Sequence, residues 1–141
     1  MTPMKQKLGL LSSIHVLVVD DYEDTRDLMK SALEYFGALV SVASSAREGL
    51  WKFQQVTPDV ILVDLGMPVE DGYWFIKEIQ KLEQAHGRVR TIAFTAYGKE
   101  EHEQTALAAG FDRFVEKPVD LDDLCNAIKK LTTPKRAARA S

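Results

Sequence analysis

Apolar residues along this chain alternate between short continuous runs and longer stretches in which they recur every three or four positions. The runs read as strands and the stretches as helices. His15 to Asp20 is the first strand. Residues from about 23 to 36 follow at helical spacing, with Leu28, Met29, Ala32, Leu33 and Phe36 apolar and Gly37 as a stop. Ala38 to Ala43 is the second strand. Ser45-Ala46-Arg47-Glu48 has capping-box spacing and opens a helix through Leu50 and Phe53. After Pro58, Asp59 to Asp64 is the third strand. Leu65 to Gly72 is a loop, with Pro68 and Asp71-Gly72 as turn signals, before a helix carrying Phe75, Ile76, Ile79 and Leu82. Arg90 to Thr95 is the fourth strand, and an alanine-rich helix over about 99 to 109 ends at Gly110. Asp112 to Glu116 is a short fifth strand. Asp120 then caps a last helix with the stripe Leu121, Leu124, Cys125, Ile128 and Leu131.

Strands alternating with helices in this way predict an α/β fold, a doubly wound five-stranded parallel sheet with helices on both faces. The strand runs are nearly continuous in apolar residues, as strands covered on both faces should be. The expected organisation is an N-terminal tail over 1–12, one domain over 13–131, and a basic C-terminal tail over 132–141 that holds Pro134, Lys135, Arg136 and Arg139. A chain of 141 residues with 45% apolar content can build a core without disulfides. Its net charge of -3 gives no global drive toward nucleic acid or anionic membrane. The single cysteine, Cys125, excludes an internal disulfide and suits a reducing, cytoplasmic setting. No run approaches the ~18 apolar residues of a spanning helix. Leu8 to Leu11, after a basic start, is too short for a signal peptide. The C-terminal tail is too short for a DNA-binding fold, so direct nucleic-acid contact is not expected.

The strand ends carry the chemistry. Asp20-Asp21 follows the first strand, Asp64 ends the third, Thr95 ends the fourth, and Lys117-Pro118 follows Phe114-Val115-Glu116 in the fifth. Carboxyl ends of parallel strands share one rim, where ligands bind. Two carboxylates ~4 Å apart repel by about 4 kcal/mol at an effective dielectric near 20. One would take a proton unless a cation intervened. Mg²⁺ suits such oxygen ligands and keeps sites for water and phosphate oxygens. Lys117 can pair with a carboxylate and then with a phosphoryl oxygen, oriented by Pro118, and the Thr95 hydroxyl can donate to the same group. Each feature alone has a plain reading: a capping aspartate pair, a surface lysine, a strand-end hydroxyl. Their coincidence at matching strand ends favours a site. His15, His86 and His102 are not spaced as metal ligands, Cys125 lies on an apolar stripe, and neither a phosphate-binding glycine loop nor a nucleophile elbow is present.

Asp20-Asp21, the run Asp64-Leu65-Gly66-Met67-Pro68-Val69-Glu70-Asp71-Gly72, Thr95-Ala96 and Lys117-Pro118 together resemble the receiver domain of two-component response regulators. The resemblance implies a flavodoxin-like sheet of order 2-1-3-4-5 with Asp64 as phosphoacceptor. It implies Mg²⁺ held by Asp20, Asp21, Asp64 and the backbone carbonyl of Gly66, and a phosphoryl group gripped by Thr95 and Lys117. Phe114 matches the aromatic whose rotamer reports phosphorylation, so Thr95 and Phe114 are the expected switch. The implied partners are a sensor histidine kinase or a histidine phosphotransfer protein, with homodimerisation possible through the face of the fourth helix, fifth strand and fifth helix. Gly66 to Tyr73, Phe94-Thr95-Ala96-Tyr97 and Ala106 to Phe111 are most similar to receivers attached to hybrid sensor histidine kinases.

The chemistry agrees with the residues. A carboxylate ionised near neutral pH can attack phosphorus without a general base and give an acyl phosphate. Catalysis is then mostly positioning and electrostatics. The expectation is a signalling switch and not a turnover enzyme. The rivals are a receiver-fold scaffold that works without phosphorylation and an aspartyl phosphatase, whose D-x-D pattern Tyr22 breaks. Gly66, without a side chain, and the bulky Tyr97 suggest slow self-dephosphorylation.

Overall fold

The computed structural model describes residues 8–96 and 99–133. The elements are β1 (His15–Val19), α1 (Glu23–Tyr35), β2 (Leu39–Ala43), α2 (Ala46–Val56), β3 (Val60–Asp64), α3 (Gly72–His86), β4 (Arg90–Thr95), α4 (Lys99–Ala109), β5 (Arg113–Glu116) and α5 (Leu121–Thr132). The five strands form one sheet of order β2-β1-β3-β4-β5. Every pairing is parallel. Successive strand residues point to opposite faces. Leu17, Val19, Ile61, Val63 and Ala93 therefore join one core with Phe53 of α2, Phe75 and Ile79 of α3 and Ala106 of α4. Val16, Val18, Val60, Leu62, Ile92 and Phe94 join the other with Met29 and Leu33 of α1 and Leu124, Cys125 and Ile128 of α5. β1 and β3 lie in the middle of the sheet, and from Val16 onward both are buried throughout, which is why their sequences read as unbroken apolar runs.

Local signals set the helix starts. Ser45 Oγ accepts the Glu48 N–H at 3.1 Å. The Glu48 carboxylate reaches back one residue further than a capping box requires, to the N–H of Ser44. Asp71 is also a cap, not part of a free turn: its Oδ1 accepts the Trp74 N–H at 3.0 Å, and Gly72 is already helical. A Cβ on Gly72 would lie 2.9 Å from Leu65 Cα and 3.0 Å from the Asp64 carbonyl oxygen. That close approach sets α3 directly against the end of β3. Asp120 caps α5 in the same manner as Asp71 caps α3.

The structure departs from the sequence pattern in a few places. Leu28, expected on the buried stripe, is 57% exposed. It sits one position, or about 100°, from Met29, and only Met29 and Leu33 of α1 are buried. Asp20, Ala38, Asp59 and Asp112 lie just outside the strands they were expected to open or close, and α5 continues to Thr132. Residues 8–12 read as tail, yet Leu11 is fully buried in the core that also holds Leu33, Phe36 and Ile128, and its N–H donates to the Phe36 carbonyl at 2.9 Å. The core thus begins before β1. The expected basic tail beyond Thr133 lies outside the described residues. No helix among the described residues is long and apolar enough to cross a membrane.

Candidate metal centre

Because every strand is parallel, β1, β3, β4 and β5 all end at one rim. That rim gathers Asp20, Asp21, Asp64, Thr95 and Lys117. One oxygen from each of the three aspartates lies within 4.8 Å of the others. Asp20 is fully buried and Asp21 is exposed. Asp20 Oδ1 accepts the Tyr22 N–H at 2.8 Å, and its Oδ2 accepts from Lys117 Nζ at 3.1 Å. The Asp20 carbonyl accepts from Arg26 Nη1 at 2.9 Å. Asp64 is buried; its Oδ1 accepts the Gly66 N–H at 3.1 Å, and its Oδ2 lies 3.8 Å from Lys117 Nζ. Lys117 therefore bridges the two buried carboxylates, with its ammonium also 4.7 Å from the centre of the Phe94 ring. Its backbone N–H donates to the Thr95 carbonyl at 2.8 Å, and the Lys117-Pro118 peptide is cis.

Burial holds the Asp64 carboxyl above the usual carboxylate range. The Gly66 N–H opposes that shift, the Asp20 charge adds to it, Lys117 opposes it, and Asp21 adds to it. Burial thus sets Asp64 apart from an ordinary solvated carboxylate, and the Gly66 N–H and then Lys117 are what favour its ionised form. All the candidate side-chain donors are hard carboxylate oxygens, two of them buried, with Asp21 open to solvent. Such a set suits a hard divalent cation that keeps water or phosphate oxygens among its ligands.

Register divides the remaining site residues between the two faces of the sheet. Asp64 pairs with Phe94. Ala93 pairs with Phe114 and Thr95 with Glu116. Thr95 thus shares its face with Ala93 and Phe114, the side covered by α3 and α4, while Phe94 faces the α1 and α5 side. Phe114 is half-buried against the core that contains Ala106 and Phe111.

A sequence profile described as the response regulator receiver domain matches residues 16–129. The chain belongs to that family. Among curated relatives, an uncharacterized 14.6 kDa protein of Leptolyngbya boryana is 38% identical over 85% of this chain and 91% of its own length. Hybrid signal transduction histidine kinase D of Dictyostelium discoideum is 34% identical over 87% of this chain but only 8% of the kinase. The regulatory protein AtoC of Escherichia coli is 35% identical over 77% of this chain and 23% of its own length. The chain therefore spans nearly all of the first relative and less than a quarter of the other two. A solved receiver domain from Clostridium thermocellum superimposes with a TM-score of 0.77 at 30% identity, covering 84% of this chain and 94% of that one. A receiver domain from Methanospirillum hungatei gives 0.76 at 33%, covering 85% and 94%. The flavodoxin-like receiver fold expected from the motifs is the fold observed.

Several contacts of this receiver were not legible in its sequence. Arg26 touches the site through a backbone carbonyl, which leaves no pattern. Phe94 reads as one more apolar strand residue until its ring is seen under Lys117. The loop after Asp64 is braced from outside: Arg47 Nε donates to the Glu70 carboxylate, and the Arg47 guanidinium lies 5.1 Å from the Trp74 ring centre. Within that loop Val69 is 97% exposed at φ 68°, a backbone region that a β-branched residue rarely adopts. The histidines lie elsewhere. His15 bonds Ser41 at 2.8 Å, His102 bonds Tyr73 at 3.2 Å, and His86 packs on Phe53. Cys125 is a core thiol. Tyr97, expected to shield the phosphorus, lies outside the described residues.

Proposed function

We propose that this receiver domain accepts a phosphoryl group on Asp64 from a phosphohistidine donor and so acts as a signalling switch. The observation that carries the reading is the bridge from Lys117 to both buried carboxylates, 3.1 Å from Asp20 and 3.8 Å from Asp64, beside the exposed Asp21. Asp20, Asp21, Asp64 and the backbone carbonyl of Gly66 would hold Mg²⁺. When bound, the ion neutralises charge on a transferring phosphoryl group.

An Asp64 carboxylate oxygen attacks phosphorus, the new O–P bond forms as the N–P bond of the donor breaks, and the imidazole leaves. Lys117, already mostly desolvated, shifts from Asp64 to a phosphoryl oxygen. The Thr95 hydroxyl donates to a second phosphoryl oxygen. The product carries more charge and more acceptors than the carboxylate it replaces. Thr95 is drawn toward it, and Phe114, on the same face of the sheet, moves into the space that Thr95 leaves. That movement biases the α4-β5-α5 face between two conformations.

The partners implied are a sensor histidine kinase or a histidine phosphotransfer protein in a cytoplasmic phosphorelay, with homodimerisation through α4-β5-α5 as one output and no direct contact with nucleic acid. The kinship with Dictyostelium kinase D supports a histidine-kinase partner. Incubation with acetyl phosphate and Mg²⁺, read by intact-protein mass, tests the reading. Uptake of one phosphoryl group, abolished in Asp64→Asn, is expected. A mass unchanged under those conditions would favour a receiver-fold scaffold that works without phosphorylation.

A further inference from the structure

Lys117 has a third neighbour besides its two carboxylates, and that neighbour is neutral. Its ammonium lies 4.7 Å from the centre of the Phe94 ring, within the ~6 Å at which the negative face of an aromatic quadrupole attracts a cation. The ring is nearly fully buried, so no water competes for that face from below. The strand register explains the placement. Phe94 is the partner of Asp64 across β3 and β4, so its side chain rises beside the carboxylate at the same level of the sheet. Lys117 reaches the same point from beyond β5, tied at its own backbone to the Thr95 carbonyl.

We propose that Phe94 is a positioning residue for phosphoryl transfer: its ring is the fixed platform that holds the Lys117 ammonium beside Asp64. This rests on the phosphoacceptor reading above. The two carboxylates change partners as a cation and a phosphoryl group arrive at the rim, and their pull on Lys117 changes with them. The ring carries no charge, takes no proton and ligates no hard cation, so its attraction persists through the cycle. An aliphatic side chain could fill much of the same space in the core that also holds Ile92 and Leu124, but it would offer the ammonium no quadrupole.

The test separates electrostatics from packing. Replacing Phe94 by mono-, di- and trifluorinated phenylalanine drains the ring quadrupole stepwise while nearly keeping its shape. Acetyl phosphate uptake by each protein with Mg²⁺ is timed, with the thermal midpoint as a control for the fold. Uptake should slow progressively, by about threefold to tenfold at the trifluorinated ring. Phe94→Leu should be at least as slow. In parallel, the ε-methylene protons of Lys117 should show an upfield ring-current shift by NMR that disappears in Phe94→Leu. A rate unchanged across the fluorinated series, or Lys117 ε-protons at ordinary lysine shifts in the parent, overturns the platform. A parent that takes up no phosphoryl group overturns the phosphoacceptor reading instead, and the ring-current shift then decides on the platform alone.

Discussion

Lys117→Ala removes the ammonium that, among the described residues, contacts both buried carboxylates. Point charges 3.1 Å and 3.8 Å apart attract by about 5 and about 4 kcal/mol at an effective dielectric near 20. The desolvation of a lysine side chain left only 21% exposed offsets much of that gain. Removing one partner of a buried pair leaves a net cost of roughly 3–5 kcal/mol. The lower end applies here, because Asp20 keeps its Tyr22 N–H and Asp64 keeps its Gly66 N–H. A loss of about 3 kcal/mol lowers the midpoint of a domain this size by roughly 10 °C. Without the ammonium the Asp64 carboxyl should rise further above the usual carboxylate range. A carboxyl raised on folding adds stability below its unfolded pKa and loses it as pH rises through the folded one. The deficit should therefore be larger at pH 8 than at pH 5. Mg²⁺ should restore more stability to the variant than to the parent, since a divalent charge stands in for the lost one. Thermal unfolding followed by circular dichroism, at both pH values and with and without Mg²⁺, measures all of this. A variant as stable as the parent at pH 8, or one that Mg²⁺ stabilises no more than the parent, would refute the reasoning.

Further outcomes follow from individual contacts. Asp64→Asn should stabilise the metal-free domain at neutral pH, because burial raises the Asp64 carboxyl and its ionised form is a cost; the gain should shrink as pH falls toward the ordinary carboxylate range, as urea unfolding across pH would show. Asp21→Ala should weaken Mg²⁺ binding and stop phosphoryl uptake with the fold intact, and a calorimetric titration matching the parent would show that the ligand set is wrong. Leu11→Ala should cost about 2–5 kcal/mol in chemical denaturation, the price of a core cavity rather than of a trimmed tail. Amide exchange with and without beryllofluoride should change over α4 and β5. Changes confined to the loop after Asp64 would exclude the proposed route to the α4-β5-α5 face.

The elements were legible because each carried its own period. β1 and β3 read as unbroken apolar runs since helices cover both their faces, and the cap at Asp120 lies where its spacing placed it. Asp71-Gly72 reads as a turn because a capping aspartate followed by a glycine has the composition of one. The glycine is there for the approach of α3 to Leu65, a tertiary reason that no local pattern encodes. Leu11 was missed for the same kind of reason: it enters the core from a turn, outside any period, through one hydrogen bond to Phe36. The candidate site was legible as residue types at strand ends, since parallel strands bring those ends to one rim whatever the sequence between them. Its electrostatics were not. The raised Asp64 carboxyl follows from burial, and the Lys117 contact with Phe94 depends on residues 23 positions apart in the chain meeting across a sheet edge.

On the reading proposed above, the last two residues of β4 would connect the chemistry of this receiver to its surface. Adjacent strand residues must face opposite sides of a sheet. Phe94 accordingly lies under Lys117 on the side covered by α1 and α5, while Thr95 lies with Phe114 on the side covered by α3 and α4. On the phosphoacceptor reading proposed above, a charge gained at Asp64 would be felt on both sides at once, through the ammonium on one and the hydroxyl on the other. The helices α1, α4 and α5 are not equally anchored in the core. α1 and α5 seat Met29, Leu33, Leu124, Cys125 and Ile128 in the core, whereas Ala106 is the only buried residue among the described side chains of α4. Two side-chain bonds from α3 supplement that seat: Tyr73 to His102 at 3.2 Å, and Gln80 Nε2 to the Ala109 carbonyl at 3.0 Å. An element with few buried apolar contacts moves at lower cost than its neighbours. Movement set off at the rim should therefore leave through α4, and weakening its ties with Tyr73→Phe should raise amide exchange in α4 while leaving α1 unchanged. Equal increases in both helices would mean that the two faces are coupled as one rigid core.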